Sequence, residues 1–268
     1  MPPLGKSVGD ISQVTLGQLV THTSGLPRGG GGNQVSYYLF NELLPPTGLI
    51  NYWRKWNGTP GQCWLYSNIG FVTLGFAVGL VKLKNKFVNQ YNEQLHLDIT
   101  KPLGMTNTAA YIQPLGGPVA QGYVGPYNTT TKKWSTANDM KTTAQDMANF
   151  MAAELGVRST GKTLKSALEL TQQPVSGTPT NECGKKNKNT NFIMGMAWQI
   201  SNSGQTNEVL AKDGATSVGG FSAYVALIPK LAMGITLLAN KMVTGKLPSN
   251  AQSINATALS ILNALQSS

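Results

Sequence analysis

The chain has 268 residues and a formal net charge of +10, yet only 12% of its residues are charged. That length allows one large domain or two intermingled ones with ample core, and 41% apolar residues exclude a disordered tail. No apolar run reaches the ~18 residues that span a bilayer; the longest, Ile69 to Val81, is cut by Gly70, Gly75 and Gly79.

With so few charges the surface must rest on Asn, Gln, Ser, Thr and Gly, which suits an exported protein, although the N-terminus shows no apolar stretch of the signal-peptide kind. The positive charge does not read as a nucleic-acid footprint, which needs clustered cations with aromatic or groove-entering partners. The densest clusters are only Lys82, Lys84 and Lys86, then Lys185, Lys186 and Lys188 in an Asn-rich loop. Two cysteines (Cys63, Cys183) and two histidines (His22, His96) fit no metal spacing, so neither a metal nor a cofactor is expected. The cysteines could form one disulfide in an exported protein, a pairing the sequence leaves open. Sequons stand at Asn57, Asn128 and Asn255.

In chain order, Thr15 to Thr23 reads as a short helix capped by Thr15 and stopped by Gly25 and Pro27. The four glycines after Arg28 predict a loop, and Ser36 to Leu44 and Leu49 to Trp56 predict short helices around Pro45-Pro46. From Ser67 the apolar positions Ile69, Val72, Phe76 and Leu80 recur at helical spacing. A further helix is expected over Lys86 to Leu97, and a loop or short hairpin over Gly116 to Ser135. Thr142 to Leu155 reads as a helix with a capping box at Thr142 and Gln145, and Lys162 to Gln172 as another. After Gly195 the character turns strand-like, over Met196 to Ser201, Glu208 to Lys212, Phe221 to Pro229 and Met233 to Ala239. Ser249 to Leu265 closes the chain as an amphipathic helix. A mostly helical region, 1–190, thus precedes three or four strands and a helix, 191–268, in one intermingled unit. Short links between strands imply an antiparallel sheet with helices packed on it, an α+β fold.

Two groups of residues could carry chemistry. Tyr66-Ser67-Asn68 stands just before a helix; a phenol is a poor base in water, but a helix N-terminus and a nearby ammonium both favour its anion. Residues two apart share no helix face, so Tyr66 and Asn68 could enter one cleft only where the helix begins. In the strand holding Lys212-Asp213-Gly214, residues Leu210, Lys212 and Gly214 share one face. Lys212 would bring positive charge, Gly214 close approach to the backbone, and the N–H groups that follow an oxyanion site. Taken singly, each also reads as an ordinary helix start and a lysine before a turn. His22-Thr23-Ser24-Gly25 reads best as a helix-ending turn, with no base beside Ser24.

Five segments in this order resemble the serine β-lactamase and penicillin-binding-protein superfamily, nearest to class C β-lactamases and their esterase and peptidase relatives. They are Leu16 to Pro27, Pro60 to Gly75, Lys101 to Thr106, Thr142 to Met147 and Lys212 to Lys241. The resemblance implies an antiparallel sheet flanked by helices and packed against an all-helical region, with the active site at the junction. It implies a periplasmic or secreted protein and a small-molecule substrate, a β-lactam or an ester, hydrolysed through a covalent serine ester. The family's Tyr-x-Asn falls on Tyr66 and Asn68, its Lys-Thr-Gly on Lys212, Asp213 and Gly214, and its strand oxyanion donor on the N–H of Ala215.

Three departures stand out. The family's Ser-x-x-Lys lies ahead of the His-Thr-Ser-Gly segment and is lacking here, and with it the first strands and the central helix. That lack would leave apolar surface open to self-association. The one Ser-x-x-Lys in the chain, Ser159 to Lys162, falls between two surface helices, and Ser24, Ser67, Ser222 or an activated water are the remaining substitutes. Second, Asp213 stands where the family prefers Thr; a carboxylate there would repel an anionic substrate by about 1 kcal/mol at a few ångströms and disfavour neutral esters less. Third, Ser217-Val218 looks like a two-residue lengthening of the oxyanion strand. The expected function is therefore β-lactam or ester hydrolysis, with a carboxylesterase or a ligand-binding remnant of the same family as alternatives, and a basic polyanion-binding module as a third.

Overall fold

A computed structural model describes residues 13–28, 59–80, 87–110, 118–124, 127–129, 140–216, 220–242 and 252–266. Its centre is a five-stranded antiparallel sheet of β3 (Ile193–Met194), β4 (Gln199–Ser201), β5 (Val209–Thr216), β6 (Phe221–Ile228) and β7 (Met233–Ala239), in sequence order. The pairing of β5 with β6 runs from Leu210 opposite Leu227 to Thr216 opposite Phe221. Side-chain alternation along β6 divides the core. Tyr224, Ala226 and Ile228 face the C-terminal helix α6 (Ile254–Gln266), where Ala258 and Leu262 are buried against them. Val225 and Leu227 face the other way, onto Trp198, Ile200, Leu210 and the helix α4 (Ala144–Glu154). The Met151 side chain of α4 packs close to the sheet at Gly234, where a Cβ would lie 3.3 Å from Met151 Sδ and 2.9 Å from Leu227 Cδ2.

The remaining helices are α1 (Leu16–Val20), α2 (Asn68–Leu80), α3 (Phe87–Leu95) and α5 (Lys162–Thr171). α3 continues as a π-helical turn through Thr100, beyond the helix end expected at Leu97. A separate cluster of Leu103, Met105, Ala153 and Leu168 joins α4 and α5 to the turn after it. The fold is thus α+β, a sheet with α6 on one face and the helical region on the other. A short hairpin of β1 (Gly122–Val124) and β2 (Tyr127–Thr129), with β8 (Lys241–Met242) parallel to β1, lies at the sheet's end.

Thr15 caps α1 as expected, in a reciprocal box with Gln18. The cap of α4 differs by one residue: Thr143 accepts the N–H of Asp146, while Thr142 Oγ1 pairs with Thr108 Oγ1 at 2.8 Å. The reason is Asp146, whose buried carboxylate takes the N–H of Asn107 at 2.8 Å and the hydroxyl of Thr108 at 2.7 Å and so ties the 105–110 segment across the helix start. The strand expected over Met196 to Ser201 shortens to β4, because a turn in which Ala197 takes a φ of +70° precedes it, and β3, before that turn, was not expected. β5 extends to Thr216 rather than ending at Lys212, because pairing with β6 overrides the turn signal of Asp-Gly. The closing helix begins at Ile254, not Ser249. The helices expected over 36–44 and 49–56 and the lengthening at 217–218 lie outside the described residues.

Glu154, at the end of α4, is buried and takes the amide of Gln172 on Oε2 at 2.6 Å. Burial raises its carboxyl from 4.5 to about 7, against the opposing pull of that hydrogen bond. The folded chain therefore keeps a proton that the unfolded chain releases, and stability falls as pH rises through this window. Glu154→Gln is expected to stabilise the fold by about 3 kcal/mol above pH ~7 and by almost nothing at pH ~4. Denaturant unfolding at both pH values checks this, and a pH-independent difference would contradict it.

Candidate active site

The segment that carries Tyr66 is held from two sides. Along one side it lies against residues 22–28: the N–H of Gly61 donates to Thr23 O, that of Leu65 to His22 O, and that of Asn68 to Arg28 O, at 2.7, 2.8 and 3.0 Å. Along the other, a disulfide joins Cys63 to Cys183, and Trp64 donates its N–H to Asn181 O at 2.8 Å. The disulfide that the sequence left open thus fastens the 181–183 loop beside this segment.

Ser67 then starts α2. Its Oγ accepts the N–H of Gly70 at 2.8 Å and donates to Pro27 O at 2.7 Å, which makes it an N-cap. Fully buried and doubly bonded, Ser67 is unavailable as a nucleophile. Because the helix begins at Asn68, the two flanking side chains escape the rule that residues two apart diverge. Tyr66 and Asn68 are both half-buried and both line one cavity of about 1100 Å³.

The same cavity is lined by Lys212, Asp213, Gly214 and Ala215 of β5. The six residues singled out in the sequence therefore meet. Lys212 Nζ lies 5.3 Å from the centre of the Tyr66 ring. It donates to Asp213 O at 2.6 Å and to Asp213 Oδ1 at 2.9 Å. Burial works to raise the Asp213 carboxyl, but the Lys212 ammonium and the amide of Asn255 outweigh it and hold the carboxyl below its usual range. Asn255, a sequon residue, thus turns its amide to Asp213. β4 pairs with β5 only as far as Ala211, so residues 212–216 have no described strand on that side and turn a bare backbone edge to the cavity. At Gly214 an added Cβ would meet only Ala223, at 3.9 Å, so the glycine leaves the cavity wall open.

Of the other serines considered, Ser24 is buried, and Ser222 lines the cavity with its hydroxyl donated to Lys241 O at 3.0 Å. Ser159 lies in the exposed turn between α4 and α5, outside the cavity. Among the described residues no group of three or more His, Cys, Asp and Glu side chains could hold a metal ion.

Sequence reasoning passed over His22 as part of a turn. Its ring lies 4.5 Å from Tyr66 and 4.8 Å from Phe71, centre to centre, and its Nδ1 accepts the N–H of Ser67 at 3.1 Å. Only 2% exposed, it adopts a φ of +60°, a conformation that disfavours most side chains. Its position 45 residues before Ser67 in the chain gave no local signal of the contact. Burial, helped by the Lys212 charge, lowers its imidazole from 6.5 to about 3. His22 is therefore a neutral ring with its proton on Nε2. Arg28, Asn107 and Lys141 also line the cavity without having been singled out.

The chain has two histidines, so ring nitrogen spectra contain two sets of signals, assignable with His96→Gln. His22 is expected to keep its Nε2-protonated neutral form from pH ~8 down to about 4. A His22 ring titrating near 6.5 would contradict the buried contact with Ser67.

The Beta-lactamase family model matches residues 4–259. No curated protein matches the chain. Among solved structures, a β-lactamase from Sulfitobacter sp. EE-36 is 22% identical with a TM-score of 0.70, covering 95% of this chain and 72% of its own. A class C β-lactamase from Rhodobacter sphaeroides is 21% identical with a TM-score of 0.69, covering 94% and 73%. A β-lactamase/D-alanine carboxypeptidase from Pseudomonas syringae is 20% identical with a TM-score of 0.68, covering 90% and 70%. At these identities the structural likeness carries the fold, and the family match carries the kinship read from the five motifs: the chain belongs to the Beta-lactamase family.

Proposed function

We propose that the cavity binds β-lactams or related carboxylic esters and that the chain is a hydrolase acting by acyl transfer. The observation that carries this reading is the convergence of Tyr66, Asn68 and Lys212 on one half-open cavity. In the reaction a serine oxygen attacks the substrate carbonyl and the Tyr66 phenolate takes the hydroxyl proton. The phenol then returns that proton to the leaving nitrogen or oxygen. Lys212 stands beside the Tyr66 ring, where its charge faces the reacting group, and the Asn68 amide donates to the substrate's side-chain carbonyl. The N–H of Ala215, on the bare edge of β5, is suited to receive the oxyanion. Water then cleaves the acyl-serine ester and restores the serine. The cavity needs no cofactor for this sequence of steps. The disulfide between Cys63 and Cys183 supports a periplasmic or secreted location.

A second reading, ligand binding without turnover, is favoured by the state of the serines. Ser67 is spent on the helix cap, Ser24 is buried, and the Ser222 hydroxyl is donated to Lys241 O.

The test is turnover of a chromogenic cephalosporin by the chain and by Tyr66→Phe and Lys212→Ala, with intact mass recorded after exposure. Each variant is expected to lose on the order of 100-fold in kcat/KM. Turnover unchanged in both would overturn the assigned roles. An acyl adduct, placed by peptide mapping, would name the nucleophile, whereas binding with neither adduct nor turnover would select the second reading.

A further inference from the structure

The charges around the cavity are unevenly used. Arg28, Lys141 and Lys212 line it against one described carboxylate, Asp213. That carboxylate is committed to Lys212, which also holds the Asp213 carbonyl. The ammonium is thus locally neutralised, and a second anion beside it would meet the Asp213 charge. Arg28 differs. Its guanidinium carbon lies 5.3 Å from the centre of the Tyr66 ring, and no described carboxylate pairs with it. The residue is exposed at the cavity rim, and its backbone carbonyl is fixed by the N–H of Asn68 at 3.0 Å. Tyr66 therefore carries two cations, each 5.3 Å from its ring centre: Lys212, occupied by Asp213, and Arg28, which pairs with no described carboxylate.

We infer that Arg28 is the carboxylate-binding residue of this cavity, and that the Lys212 end receives the uncharged, reacting part of the substrate. The substrate class is then an ester or cyclic amide that bears a separate carboxylate held away from Lys212. A guanidinium suits this task, since it stays charged and presents paired donors that match a carboxylate's two oxygens. Its place over Tyr66 limits the conformations it must give up on binding. The inference rests on the reading of the cavity as a substrate site, and it reverses the expectation that Asp213 turns anionic substrates away. Asp213 silences one cation and leaves the other to set the orientation.

The test uses a matched pair of ligands, a cephalosporin with its free carboxylate and the methyl ester of the same compound. Dissociation constants come from rapid-mixing tryptophan fluorescence before turnover, for which Trp64 in the cavity wall is a reporter. The acid is expected to bind about tenfold more tightly than the ester, equivalent to ~1.4 kcal/mol. Arg28→Gln should abolish that preference by weakening the acid alone. Lys165→Gln removes the same charge from the exposed face of α5, outside the cavity, and should leave both affinities unchanged. Arg28 is exposed, so its substitution is not expected to unfold the chain, and an unchanged Tm confirms that any loss is local. A tenfold preference that survives Arg28→Gln overturns the inference, as does equal loss in Lys165→Gln. Equal binding of acid and ester by the unaltered chain overturns it while leaving the cavity a ligand site. Binding of neither overturns both readings.

Discussion

The site depends on how one short segment is clamped. Residues 61–68 are held against 22–28 by three backbone hydrogen bonds and against 181–183 by a disulfide and the Trp64 N–H. Ser67 completes the clamp by capping α2 and bonding back to Pro27. With Ser67 turned inward, Tyr66 and Asn68 on either side of it line the cavity. The neutral His22 ring, tilted against Tyr66 and bonded to the Ser67 peptide, backs this arrangement. A protonated ring there would be a third cation beside Arg28 and Lys212, and its desolvation opposes that charge.

The sheet supplies the other wall through an inequality of strand lengths. β5 has eight residues and β4 three, so β5 outruns its neighbour just where Lys212 begins. Unpaired strand edges invite the wrong partners unless something covers or charges them. Here the edge carries Lys212 and Asp213 and faces a cavity, a setting in which exposed backbone donors become useful. The same inequality explains why the lysine lies at the boundary between core and cavity. Leu210, two residues earlier on the same face, is fully buried against Leu227.

Much of this was legible along the chain, and for identifiable reasons. The strands after Gly195, the capped α1 and the amphipathic C-terminal helix follow from periodicity and local capping, which act over a few residues. Tyr66, Asn68 and Lys212 could be named because they sit in ordered segments that resemble a known family. Their meeting could not be derived from spacing, since Lys212 lies far along the chain from Tyr66. What escaped was long-range chemistry. His22 looked like part of a turn because its partner, Ser67, is 45 residues away. The true cap of α4 shifted to Thr143 because a buried Asp146 recruits Asn107 and Thr108 from a distant segment. The pairing of Lys212 with the adjacent Asp213, rather than with another group, depends on rotamers that sequence does not specify.

The proposed function rests on the proximity of Tyr66 and Lys212, so the coupling between them is the most direct quantity to measure. A double-mutant cycle with Tyr66→Ala and Lys212→Ala, read as affinity for a cavity ligand, isolates it. Groups in contact around one site are expected to couple by at least ~0.5 kcal/mol. Strict additivity, within about 0.3 kcal/mol, is the behaviour of independent sites and would contradict a shared cavity.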